Sequence, residues 1–368
     1  MSTGYYYSEN SMDIIWWEQI TKAAHFIQTT ASTILDHNSV VISLPESTPW
    51  KRTLYDNIEG ILRQGNPEYK LAFHDCPAEE PGEFLLEEYC KRDKRNSYRY
   101  GMSYAKFLAE SEGIVLNSRY VWIRNVAGEK LKEWQNFISE YNKNLRTNSS
   151  SAVFILETQD MTTKTKKVKG IKYLSFDDSI DFYDKYTFCV LASTGIDIRP
   201  SIRPYVAEVV SSVCKDDIEL CALCMQQWND FVKEPLKTLL QVTSSETHSD
   251  GSPFSVDYNT ESVEARIWEA QIKLLFPIVE RYRTYFVKKY KKHIEKALPL
   301  ETVYGEIIDD PLDVELGALC RLVKEKIVPL TPKENDQLDS FKVIRNYLAH
   351  LRTLDFERVE WVLSQNFK

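Results

Sequence analysis

Three polar residues whose types could do chemistry stand close together near the carboxyl end, in the run Phe341-Lys342-Val343-Ile344-Arg345-Asn346-Tyr347-Leu348-Ala349-His350-Leu351. They are Arg345, Asn346 and His350. An imidazole titrates near neutral pH, and a guanidinium presents a fixed fork of donors.

Their spacing limits how they act. At roughly 100° per residue, Phe341, Ile344, Leu348 and Leu351 form one apolar stripe that must pack on neighbouring helices. Asn346 and His350 are four apart and share a face. Arg345 and His350 are five apart, roughly 140° around the axis, so one straight helix does not aim both at a single atom. A site using both requires the helix to end near His350, or a second copy of the helix across a dimer interface. A purely structural reading stands beside this one. In it Arg345 pairs with Glu357, Glu360 or another carboxylate, and His350 caps the helix end, where a cation is favoured.

A second feature is basic. Residues 281–296 (RYRTYFVKKYKKHIEK) hold seven Lys or Arg and a single Glu. On a helix, Arg281, Arg283, Lys288, Lys289, Lys291 and Lys292 make a cationic face with rings interleaved. Such a face suits a phosphate backbone with bases stacking on rings, or it is a solvated face whose lysine stems cover apolar surface. Residues 91–106 and 164–169 are also basic and fall in expected loops. Cys221-Ala222-Leu223-Cys224, with Cys214 nearby, is half of a zinc pattern. No second pair follows, so core packing is expected for all three. The sequence calls for no metal and no cofactor, and contains neither a G-x-G-x-x-G nor a Ser/His/Asp arrangement.

Helices are expected over about 263–297, 312–326, 333–350 and 355–366. Arg-Asn-x-x-x-His on the last long helix of an all-α bundle resembles the HEPN superfamily, whose motif is Arg, a short gap and His, often with a polar residue directly after Arg. Arg345, Asn346 and His350 fit those positions, and the resemblance covers 263–368. It implies one of two outcomes. Catalytic members are metal-independent endoribonucleases that act as dimers, with the ribose 2′-OH attacking the adjacent phosphate. His350 would then be the general acid/base, Arg345 would stabilise charge on the phosphate, and Asn346 would orient either. Non-catalytic members keep the bundle for dimerisation or RNA binding.

The first half has a different rhythm. Short apolar runs at 39–44, 69–74, 120–126, 151–157 and 171–176 read as strands. Helical patterns separate them at 48–63, 84–89, 104–112 and 129–145, and another precedes them at 14–35. Thr48 is the expected cap of the second of these helices, with Pro49 at its first position. The pattern predicts an α/β fold: a mostly parallel, doubly wound sheet covered on both faces. A helical lid follows (179–192, 205–214, 217–240), then an all-α carboxyl-terminal bundle. The expected domains are 1–178, 179–241, a linker at 242–262 rich in Ser and Thr, and 263–368.

This order of elements resembles the nucleotidase core of AAA+ and STAND-type P-loop ATPases over about 13–240. The chemistry of that family is missing. The loop after the first strand, Leu44-Pro45-Glu46-Ser47-Thr48-Pro49-Trp50-Lys51, has no glycine to let backbone N–H groups converge on phosphate, and Glu46 repels it. The third strand ends Ile123-Arg124-Asn125 where Walker B acids belong. The fourth ends Glu157-Thr158, where the family often has a polar sensor. A degenerate, non-hydrolysing P-loop NTPase domain is expected, kept for shape and partner contact.

Composition bounds these readings. The chain has 368 residues, 43% of them hydrophobic and 27% charged, as in an ordinary globular protein. No apolar run reaches bilayer length and the start carries no basic-then-apolar signal, so no membrane is expected and a cytoplasmic location is. Seven cysteines in so long a chain argue against a disulfide framework. A net charge of -8 argues against wholesale coating of nucleic acid. Two functions fit. One is an RNA-directed effector of defence or toxin type: a homodimeric ribonuclease fused to an inactive NTPase-like domain. The other is a non-catalytic scaffold whose α/β domain binds a protein partner and whose bundle dimerises or binds RNA. A nucleotide-sensing switch is a third, lesser reading.

Overall fold

The computed structural model describes residues 11–46, 48–99, 101–111, 114–145, 151–159, 167–176, 180–215, 217–254, 258–301 and 305–367. The chain forms two compact units, Met1–Asp184 and Lys185–Lys368.

In the first unit a short helical lead-in, Met12–Ile14 and the π-turn Ile15–Gln19, precedes α1 (Thr21–Leu35). Then come β1 (Ser39–Ser43), α2 (Lys51–Gly65), β2 (Lys70–Asp75), α3 (Pro81–Tyr89), α4 (Tyr104–Glu110), β3 (Arg119–Arg124), α5 (Gly128–Asn144), β4 (Val153–Thr158) and β5 (Ile171–Ser175). The five strands form one parallel sheet in the order β2-β3-β4-β1-β5. Side chains alternate across it. Val41, Val121, Ile123, Phe154 and Leu156 share a core with Leu85, Leu108, Trp134 and Ile138 from α3, α4 and α5. Trp122 points the other way, toward Tyr55 of α2, with ring centroids 5.3 Å apart. Every residue of β1 and β4 is buried, which is why both read as unbroken apolar runs.

One expected cap is corrected. Helix α2 begins at Lys51, and its N-cap is Trp50 in the left-handed region (φ 42°). The Thr48 hydroxyl donates to the Pro45 carbonyl at 2.7 Å. That local turn takes the side chain away from capping.

The second unit is helical. After a helix at Phe182–Ala192 (α6), it contains α7 (Arg203–Val213), α8 (Ile218–Gln226), α9 (Trp228–Lys233), α10 (Pro235–Ser245), the long α11 (Thr260–Ile294), α12 (Leu316–Lys324), α13 (Pro332–Ala349) and α14 (Phe356–Leu363). A two-residue hairpin, β6 (Leu300–Glu301) with β7 (Ile307–Ile308), interrupts it. The helix expected at 217–240 is three shorter ones, and the last runs into the Ser/Thr-rich stretch to Ser245. Buried Val242 and Thr243 hold that turn against its weak propensity. Helices α11 and α13 run antiparallel. Trp268 meets Leu348, Tyr282 stacks on Phe341 at 4.0 Å, and Lys289 reaches Glu334. Capping boxes open both helices, Asn259/Ser262 and Thr331/Glu334. Among the described residues no helix is long and apolar enough to cross a membrane.

Candidate functional site

The apolar stripe of α13 buries Leu338, Phe341, Ile344 and Leu348. Leu351, expected on the same stripe, is 70% exposed, because the helix stops first. His350 is its C-cap (φ −109°, ψ 28°), and Leu351 adopts φ 57°. The Arg352 N–H then closes back on the Tyr347 carbonyl at 2.9 Å, the closure of a Schellman turn. Two side chains of α11 fix this end. The Trp268 indole donates to the Leu348 carbonyl at 2.7 Å. The buried Gln271 amide clamps Leu354, accepting from its N–H at 2.7 Å and donating to its carbonyl at 2.9 Å.

The ending leaves Asn346 and His350 exposed on one face. Neither side chain has a hydrogen-bond partner among the described residues. Arg345 lies on another flank, half-buried, with its guanidinium 3.7 Å from Glu315. Its carboxylate is therefore Glu315, and Glu360 is paired with Arg199 instead. Within one chain Arg345 and His350 do not converge. Two other cations lie beside Tyr347, three residues before His350: Arg352 and Arg358 are 6.0 and 5.4 Å from its ring centre, and Arg358 is also 3.4 Å from Asp355. Nothing in the motif announced them, because the turn at 350–355 is what brings them back to Tyr347.

The cationic helix divides. Arg283 donates to Glu280 at 2.8 Å and to the carbonyls of Leu312 and Val314, so it fastens α11 to the segment before α12. Lys289 is bound to Glu334 at 2.6 Å, and Lys291 lies 3.6 Å from Glu295. Arg281, Lys288 and Lys292 are exposed and have no ion pair among the described residues.

Cys214, Cys221 and Cys224 are in the core, as expected, but in larger company. Cys189 of α6 joins Cys214, Cys221 and Cys224, and all four are fully buried. Burial pushes the Cys189 and Cys214 thiols well above their ordinary range, and the neighbouring Cys221 adds to the rise. Among the described residues no group of three or more His, Cys, Asp or Glu is placed to hold a metal ion.

In the first unit the chain leaves β1 for β2 in one direction and returns through β3 to β4 in the other. The crevice at the carboxyl ends of β1 and β4 is where such sheets bind ligands. Here it is occupied by the protein itself. Glu157 of β4, 4% exposed, accepts from the Tyr55 hydroxyl at 2.8 Å and the Trp122 indole at 3.0 Å. Lys51, at the start of α2, lies 3.8 Å from the same carboxylate. Burial, reinforced by the Glu157 charge, raises the Tyr55 hydroxyl far above its ordinary range.

No family model matches the chain, and no curated protein matches it. Among solved structures, the ORC2 protein of Aeropyrum pernix, in its ADPNP–ADP complexes, is similar over 93% of this chain and 92% of that one. The identity is 12% and the TM-score 0.32. A likeness so loose carries no argument about either unit.

Proposed function

We infer that the carboxyl-terminal unit acts on RNA in the cytoplasm, and that the end of α13 is a metal-independent phosphodiester-cleaving centre of HEPN type, completed by a second copy of the chain. The observation that carries this reading is the helix end at His350. It leaves an imidazole and the Asn346 amide on one exposed face, without partners among the described residues, with Arg352 and Arg358 against the intervening Tyr347. In the reaction, the ribose 2′-oxygen attacks the adjacent phosphorus and the bond to the 5′-oxygen breaks. A 2′,3′-cyclic phosphate forms and a 5′-hydroxyl leaves. One His350 takes the proton from the 2′-hydroxyl, and the second copy's imidazole gives one to the departing oxygen. Guanidinium groups offset the charge on the phosphate. Arg345, on the far flank of its own helix, serves the site of the second copy. A defence or toxin-type effector is the setting such a nuclease would fit.

The test is cleavage of labelled RNA in EDTA by the wild type, His350→Ala and Arg345→Ala. Cleavage that persists in EDTA and is lost in both variants supports the reading. Intact dimers without cleavage overturn it in favour of a scaffold. Two observations favour that second reading: Arg345 already faces Glu315, and the crevice of the degenerate NTPase-like, AAA-like domain is closed by Lys51 and Glu157. In it, the α/β unit docks a protein partner and the bundle dimerises or binds RNA.

A further inference from the structure

A cleft of about 640 Å³ opens along α11, away from the helix end, with Phe367 contributing to its wall. Tyr285 and Phe367 pack beside each other there, their ring centres 5.8 Å apart and tilted by 32°, with Phe341 behind Phe367 and Lys289 5.9 Å from the Tyr285 ring centre. Both rings are half-buried. Arg281 and Lys288 also line the cleft. They stand four residues before and three after Tyr285, so all three share one face of the helix. Both cations are exposed and have no ion pair among the described residues. The cleft's other charged groups are already engaged, Lys289 by Glu334 at 2.6 Å and Glu280 by Arg283 at 2.8 Å.

We propose that this cleft is a docking site for single-stranded RNA, with a base stacked on Tyr285 and Phe367 and the flanking phosphates on Arg281 and Lys288. The inference rests on the RNA-directed reading above and adds the strandedness of the substrate. Every base offers a π-face to a ring, so stacking grips a strand without reading its sequence. A duplex keeps its base faces buried in its own stack and offers none to Tyr285. An acidic peptide would engage the two cations but offer no aromatic face to Tyr285.

The experiment is fluorescence anisotropy with a labelled oligo-uridine twelve-mer, its oligo-deoxythymidine counterpart, and an RNA duplex of the same length. Both single strands are expected to bind more tightly than the duplex, since the cleft engages bases and phosphates but not the 2′-hydroxyl. Tyr285→Leu keeps apolar volume and removes the ring. It is expected to weaken single-strand binding between about fivefold and a hundredfold, while Tyr285→Phe binds as the wild type. Arg281→Gln with Lys288→Gln is expected to lower the salt slope by about 1.4, for two phosphates lost. Wild-type affinity in Tyr285→Leu, equal binding of duplex and single strand, or equally strong competition by oligo-glutamate overturns the proposal. His350→Ala separates the two ideas. It is expected to bind the single strand normally, so loss of the cleavage reading leaves the cleft standing, and loss of the cleft leaves His350 to be judged by cleavage alone.

Discussion

The indole N–H of Trp268 and the carbonyl of Leu348 are joined at 2.7 Å. Leu348 lies in the last turn of α13, where carbonyls have no partner within the helix. The bond therefore fixes the orientation of the turn that carries His350. Trp268→Phe keeps the ring and removes the donor. It is expected to destabilise the protein by about 1 kcal/mol and to speed hydrogen exchange at the Arg352 amide. If His350 is catalytic, kcat falls while KM changes little, because substrate grip lies elsewhere. Unchanged exchange at Arg352 would mean that the Schellman turn holds itself.

Leu351 combines a left-handed backbone (φ 57°) with 70% exposure. Only glycine adopts that conformation without penalty, and an exposed leucine gains little burial in return. Leu351→Gly is expected to stabilise the monomer by about 0.5–1 kcal/mol, the relief of left-handed strain less the added chain entropy of glycine. Urea unfolding measures it. If α13 pairs with a second copy, the same substitution weakens the dimer, which sedimentation reads separately. A less stable monomer would show that Leu351 is packed in solution.

Much of the fold was legible because it rests on periodicity. The five strands fall within two residues of where short apolar runs place them, and β1 and β4 are unbroken runs because they are covered on both faces. Helix ends were less legible. The Ser/Thr-rich turn at Ser245 is helical through packing of Val242. Thr48 looks like a cap but serves a local turn. At the candidate site the Arg-Asn-x-x-x-His spacing was visible, and so was the requirement that the helix stop near His350. The stop itself was not, because Leu351 stands where a glycine would have signalled it. Arg352, Arg358 and Cys189 reach their neighbours only through chain reversals that no local pattern encodes.

Asp217 and His248 tie the segment after α10 to the start of α8. The imidazole lies 2.8 Å from the carboxylate, which also caps α8 through the Leu220 N–H at 2.9 Å. Burial lowers the affinity of His248 for a proton, but the hydrogen bond and charge of Asp217 outweigh it, so the net shift is upward. A raised folded-state value gives stability that is complete below the ordinary histidine range and disappears as pH rises through the folded value. Asp217→Asn keeps a good cap and removes the charge. Its loss of stability is expected to be on the order of 1 kcal/mol greater at pH 5.5 than at pH 8.5. Equal losses at both pH values would mean that the pair is not charged in the folded protein.

Glu157 holds the crevice of the first unit closed, so its removal and the removal of Lys51 have unequal consequences. The Trp122 indole and Tyr55 hydroxyl both donate to this buried carboxylate. Glu157→Ala leaves two desolvated donors without an acceptor and is expected to cost roughly 3 kcal/mol. Glu157→Gln keeps one acceptor oxygen and costs less. Lys51 lies 3.8 Å from the carboxylate, beyond hydrogen-bond reach, while Tyr55 and Trp122 already donate to it, so Lys51→Met is expected to cost less than Glu157→Ala. That milder variant makes the nucleotide question decidable. A lysine occupied by an internal carboxylate, behind a loop without glycine, has no phosphate to meet. Millimolar ATP or GTP is therefore expected to leave the melting temperature unchanged in wild type and Lys51→Met alike. A shift in the wild type that Lys51→Met abolishes would show that the lysine leaves Glu157 for a phosphate, and would restore the crevice as a nucleotide site.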